Sequence, residues 1–536
     1  MRSRDGLAMA AITAVLCVVS IVTLERIGVN GGQGWDGMSY VQWAADFPGQ
    51  VLHAGLTRYH SQRVLPSAAI WSGLKLARVT PTVPHIIRAF QGLDAVLLVA
   101  AAWLWARTAI RLELSRIAGW VGYVALFGAF ANAKHALYYP TLTDVAAFAL
   151  GMLAVWAFVA GRPIVLWLAG VAAAITWPAL PPLVAVLLLF PRPSTTLADA
   201  TIAPRIRKLA AAFVGVACGV AFAGVALHYL HHPVPGVGDD KFAAWVRRDL
   251  LVVTLPLLVG SIAVALYALL SSAALWNLRA YLGAVPRRRL IASVIAVVAL
   301  FAVRALWVAQ VGTHGEGPST GQFFCEHTLS AIRGPLWGPV HSVVYWGPIV
   351  IVAALAWRRV AAVAVGWGPG AVIALALVVA FASGANSRQW NHLAPFLVAA
   401  TIVATAEVWT VRRALGFAAL ALAWSKVWLT LGYDQPLGFW EFPNQRYFMN
   451  QGPYASDAMY LVHVAAVAVT AFVLFLIFQD NGRATPSSDP RRTAPAAAIE
   501  RLAQRAAVGR GERAILVIGD RAEHDHGAAE AWSVVY

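Results

Sequence analysis

One carboxylate set among glycines, aromatic rings and cations is the first feature of this sequence that could do chemistry. Asp36 stands in Gly34-Trp35-Asp36-Gly37-Met38-Ser39-Tyr40, followed by Trp43 and then by Arg58, Tyr59, His60, Arg63 and Pro66. A carboxylate in such a setting is suited to take a proton from a hydroxyl. It could equally shape an Asx turn, with Tyr40 and Trp43 as anchors at a membrane surface. A second acid, Asp144, follows Tyr138-Tyr139-Pro140-Thr141-Leu142-Thr143. It is either the N-cap of the helix that follows or a functional acid, kept at membrane depth despite its cost. Cations gather in three more segments: Arg388 in the short glycine-containing stretch Ser383 to His392, Lys241 with Arg247 and Arg248, and Arg446 in Asn444-Gln445-Arg446-Tyr447. Such groups either meet lipid headgroups or hold an anionic ligand. His228-x-x-His231-His232 has a metal-ligand spacing but no acidic third ligand beside it, and Asp239-Asp240 is a similarly weak pair.

What must position these residues is a bundle of helices in a membrane. Of 536 residues, 60% are hydrophobic and 12% charged, about half the charge of an ordinary soluble domain. The apolar residues recur in runs near the ~20 residues a helix needs to cross a bilayer core. Backbone exposed to lipid must satisfy its own hydrogen bonds, which leaves helices or a closed barrel, and the ~10-residue alternating stretches of a barrel are absent. The expected fold is all-α: a polytopic transmembrane bundle of about 13–14 spans with interfacial helices in the first outer loop. The net charge of +16 points to the membrane rather than to nucleic acid, because much of it sits in short breaks between apolar runs. The cysteines Cys17, Cys218 and Cys325 lie far apart, so no disulfide framework or thiolate metal site is indicated.

The arginines set the expected topology. The run Leu7 to Leu24 follows Arg2 and Arg4 and reads as a retained signal anchor with its N-terminus in the cytoplasm. Residues 28–85 then form a first outer loop, in which Val64 to Leu76 lies along the interface. This choice puts the breaks at Arg107/Arg111/Arg116, Arg162, Arg192 to Lys208, Arg279 to Arg289, Arg358/Arg359 and Arg412/Arg413 inside. It requires Pro163 to Phe190 to be two short helices hinged near Trp177-Pro178. The last spans are expected at 341–357, 361–382, 392–411, 414–432 and 458–478. Residues 1–478 are thus the transmembrane domain. The tail 479–536, with its eight arginines and eight acids, reads as disordered and cytoplasmic.

A signal anchor, a large outer loop with an early aspartate and an interfacial helix, and a second acid at the next outer turn: this layout resembles the GT-C superfamily of membrane glycosyltransferases. That group includes the protein O-mannosyltransferases and the lipid A aminoarabinose transferase. The likeness covers the first ~200 residues best and is one of layout, with loose motifs. It implies transfer of a sugar from a polyprenyl-phosphate donor to a glycan, lipid or protein acceptor on the extracytoplasmic side, with inversion. Asp36 matches the catalytic aspartate of the first loop and Asp144 the acid of the second. Arg388, Arg58, Arg63 or Lys241 would meet the donor phosphate, and Tyr40, Trp43, Tyr139, His60 and Arg446 would contact substrate. No Asp-x-Asp or Glu-Asp pair appears in the first loop, so no metal site is assigned, and a divalent cation stays an option. A bacterial inner membrane is the expected location. The alternatives are a transporter or flippase, a polysaccharide polymerase of the cell envelope, and a scaffold without catalysis. The absence of a convincing internal repeat weighs against the transporter.

Overall fold

A computed structural model describes residues 1–193, 202–232, 239–312, 320–431 and 452–479, the side chains at 239–241, 278 and 320 excepted. In chain order the helices are α1 (Ser3–Thr23), α2 (Gly37–Ala45), α3 (Leu65–Leu76), α4 (Val83–Arg111), α5 (Arg116–Phe127), α6 (Ala136–Tyr138) and α7 (Asp144–Val159). Next come α8 (Pro163–Ala174), α9 (Leu180–Leu189), α10 (Pro204–His231), α11 (Asp239–Trp245), α12 (Leu251–Leu270), α13 (Leu278–Ala284) and α14 (Arg287–Val311). The last are α15 (Thr320–Ala331), α16 (Trp337–Trp346), α17 (Ile349–Leu355), α18 (Trp357–Trp367), α19 (Pro369–Ser383), α20 (Ala394–Ala404), α21 (Val411–Ser425) and α22 (Asp457–Gln479). The described residues contain no β-strand.

Six of these, α1, α4, α10, α12, α14 and α22, are long and apolar enough to cross a membrane, and the bent pair α17/α18 would make a seventh. Shorter apolar helices (α5, α7, α8, α9, α19 and α20) complete the bundle. The chain is an all-α integral membrane protein. Prolines open α3, α4, α8, α10, α19 and α20, where their missing N–H costs nothing and their fixed φ starts the helix. Residues 1–477 form one compact unit. Its centre is α7, buried along almost its whole length, whereas α1, α10 and α14 expose apolar side chains such as Leu16, Phe213 and Ile295. Helices α10 and α12 pack backbone to backbone: a Cβ on Gly215 or Gly219 would come within 2.7 and 2.9 Å of the Ala263 and Val259 carbonyl oxygens. Small residues spaced by four allow this approach where lipid gives no hydrophobic drive for association.

The segment expected to lie along the interface is α3, which packs against α2 and α4. At 12 residues it spans only about 18 Å and cannot cross a bilayer core. The run from Pro163 to Phe190 divides as expected, with its break after Ala174. The region expected as a span at 361–382 differs. Helix α18 turns by 85° from α17 and is amphipathic, and the apolar helix α19 begins only after Gly368. Arg358 and Arg359 explain this: at the start of α18 they keep one face polar, so the helix does not continue inward. The span expected at 392–411 is likewise shortened to α20. The C-terminal tail and the segment carrying Arg446 lie outside the described residues.

Candidate functional site

The first loop is held by the turn before α7. Ile27 donates its N–H to the Tyr138 carbonyl at 3.0 Å, and the Thr141 hydroxyl donates to the Gln33 carbonyl at 2.8 Å. Between these points the chain passes directly over the Tyr139 ring. Gly34, at φ +70°, could not carry a side chain there, since a Cβ would fall 2.1 Å from that ring. Gly37 is equally tight, its absent Cβ 2.1 Å from the Thr141 hydroxyl. Trp35 meets Tyr139 edge to face, and the Gly37 N–H points at the Tyr139 hydroxyl at 3.4 Å. The two glycines flanking Asp36 are therefore the means by which the loop lies flat on Tyr139.

Asp36 occupies the N-cap position of α2, yet its side chain makes no cap hydrogen bond and is exposed. Among the described residues it forms no ion pair. Its charge acts on Tyr40, Tyr59, His60, Arg63, Tyr139 and Tyr454. Burial pushes the Tyr59 and Tyr139 phenols up, and Asp36 adds to both shifts. The Glu326 carboxylate, with burial second, does the same to Tyr454. All three phenols are therefore protonated donors at neutral pH. His60 is pushed down by burial, with Asp36 pulling partly the other way, so its ring is neutral.

Behind this surface the polar groups are consumed by the protein itself. The Asp144 carboxylate, the first residue of α7 rather than its N-cap, accepts a fork from Arg388: Nε at 3.0 Å and Nη2 at 3.2 Å. Asn391 Nδ2 adds a third bond at 3.1 Å. The short 3₁₀ turn Ser387–Trp390 that carries Arg388 is fixed by Trp390 against Trp346. Arg63 is buried with its guanidinium between the rings of Tyr59 and Trp177, 4.5 and 4.7 Å from their centroids, and Nη1 lies 3.3 Å from the Thr143 hydroxyl. Tyr40 and Trp43 are buried too; Trp43 packs between Tyr40 and His60.

The sequence-derived candidates thus separate into layers. Asp36 and His60 lie at one surface, with Tyr139, Tyr40, Trp43 and Arg63 buried beneath it. Asp144 and Arg388 come together as an ion pair, and Arg58 is exposed on the first loop. Lys241 falls in α11, where its side chain is not described, and Arg446 lies outside the described residues. Arg247 bridges Asp249 and Asp457 beside a separate cavity of about 540 Å³ lined by Leu230, Val246, Arg247 and Arg248. No group of three His, Cys, Asp or Glu suited to a metal gathers among the described residues.

Two contributors were not legible beforehand. Helix α15 brings Phe323 into a stack on Tyr59 at 5.3 Å, and its Glu326 accepts from Asn386 Nδ2 at 3.2 Å, close to Arg388 in sequence. The stretch around Glu326 is neither an apolar run nor a recognisable loop motif. Its mixed character was the only signal. Helix α14 adds Arg304, which donates to Gln62 Oε1 at 2.6 Å.

Fold and site together define an integral membrane protein with an exposed carboxylate, Asp36, on a loop laid over buried aromatic rings. Compared with known protein families, curated proteins and solved structures, the chain matches none.

Proposed function

We propose that this chain is a glycosyltransferase of a bacterial inner membrane, moving a sugar from a polyprenyl-phosphate donor to an extracytoplasmic glycan, lipid or protein acceptor. Both termini would then be cytoplasmic. The observation that carries the reading is the state of Asp36: exposed and uncapped, on a loop laid over Tyr139 and followed by the neutral His60. In the proposed step, Asp36 takes the acceptor's hydroxyl proton as that oxygen bonds to the anomeric carbon. The bond from the anomeric carbon to the phosphate oxygen breaks, and the lipid phosphate leaves with the electron pair, inverting the centre. The exposed Trp35 ring next to Asp36 suits a sugar, whose C–H patches pack on an aromatic face. Asp144 and Arg388 act as a positioning pair that holds the turn under Tyr139 in place.

The test is release of polyprenyl phosphate from a panel of radiolabelled polyprenyl-phosphate sugars by membranes carrying the wild type or Asp36→Asn, with protein levels matched. Wild-type turnover and a drop of roughly 10²–10⁴-fold in the variant are expected for loss of a general base. Equal turnover in both would remove Asp36 from the chemistry. Movement of an intact lipid-linked sugar across the bilayer, with no release, would assign a flippase instead.

A further inference from the structure

Two arginines, Arg58 and Arg304, share Gln62 where the first loop crosses the end of α14, away from the Asp144–Arg388 pair. The C-terminal end of α14 is bound to the loop by three contacts: Leu56 N–H to the Gly312 carbonyl, Trp307 Nε1 to the Ser61 carbonyl at 2.7 Å, and Arg304 to Gln62. Arg304 lies seven residues before the end of α14, about 10 Å below it along the axis. A guanidinium at that depth is costly, and its hydrogen-bond partner here is a neutral amide. Arg58, exposed on the loop above, shares that partner: the same Gln62 amide donates its Nε2 to the Arg58 carbonyl at 2.8 Å. Among the described residues neither forms an ion pair. Below them α14 offers lipid an apolar face: Val298 is 64% exposed and Phe301 40%.

We infer that Arg58 and Arg304 form a binding site for the phosphate headgroup of a membrane lipid whose chain lies along α14. Two like charges held together with no acid paired to them among the described residues are stabilised by an anion that bridges them, and guanidinium forks match phosphate oxygens. The long Arg304 side chain reaches up from the apolar zone to the headgroup level, where a lipid phosphate sits. A free phosphate would satisfy the charges but would leave the exposed face of α14 unused, which is why the occupant is a lipid. The site stands whether or not the chain transfers sugar.

The experiment is binding, read independently of turnover. Full-length protein in detergent is titrated with polyprenyl phosphate, phosphatidylglycerol or inorganic phosphate, and bound ligand is counted by native mass spectrometry. The wild type should bind one of the two lipids, and Arg58→Gln or Arg304→Gln should weaken that binding about tenfold, the loss of one charged hydrogen-bonding partner. Arg304→Lys should keep part of it, and Arg358→Gln, on α18, should change nothing. Equal lipid binding in wild type, Arg58→Gln and Arg304→Gln would overturn the site. Binding of inorganic phosphate as tight as that of either lipid would overturn its assignment to a lipid.

Discussion

Asp144 and Arg388 lie 244 residues apart in sequence, and their pairing makes a sharp energetic test. The side chains are 5% and 17% exposed and joined by two bonds of near-ideal length. Replacing one partner leaves the other charged and buried, which costs about 3–5 kcal/mol. Because Arg388 keeps some contact with solvent, the low end applies, about 3 kcal/mol for either Asp144→Leu or Arg388→Met. Replacing both removes the buried charges together. The remaining cost is then the stranded Asn391 amide, about 1–2 kcal/mol. The double-mutant cycle should therefore give a coupling energy of about 4–5 kcal/mol. The assay is equilibrium unfolding of the four proteins in mixed micelles of increasing dodecyl sulfate content, followed by tryptophan fluorescence. A coupling below about 0.5 kcal/mol, the level at which independent sites add, would refute the reasoning. The pair would then not hold the turn beneath Tyr139.

Other expectations follow from the loop and its histidine. Gly34→Ala should lower stability by at least about 1–3 kcal/mol, since it combines a positive φ with a clash on Tyr139; in a Tyr139→Ala background the thermal shift should shrink to the backbone part alone. Burial holds the folded-state pKa of His60 below its ordinary value. Its stabilising contribution is therefore complete above the usual histidine range and lost as pH falls through the folded value. The melting temperature of His60→Gln should accordingly decline less than that of wild type between about pH 7 and pH 5. Identical declines would mean that His60 titrates as it does in the unfolded chain.

Much of the architecture was legible because a bilayer leaves so few options. An apolar run of sufficient length must be a helix, and a proline at its first turn marks where it starts, as Pro84, Pro204 and Pro369 do. The hinge near Trp177-Pro178 and the short helix over Val64 to Leu76 followed from the same constraint combined with charge placement. The bend before α18 did not. Its cause is the balance between two arginines and the apolar face beside them, and hydropathy alone averages over both.

The candidate site divides in the same way. Asp36 between Gly34 and Gly37 could be picked out because carboxylates, glycines and aromatics are chemically distinctive wherever they stand together. The sequence alone determined an all-α membrane bundle, a polar first loop, and the short list of acids and cations at its loops. Only the tertiary structure decided which of those charges are spent. Arg388 closes on Asp144, and Arg63 is buried between two rings, while Asp36 remains open and Arg304 shares Gln62 with Arg58. The physical reason is that a charge's availability depends on its partners and its burial, and both are set by helices that meet across hundreds of residues rather than by neighbours along the chain.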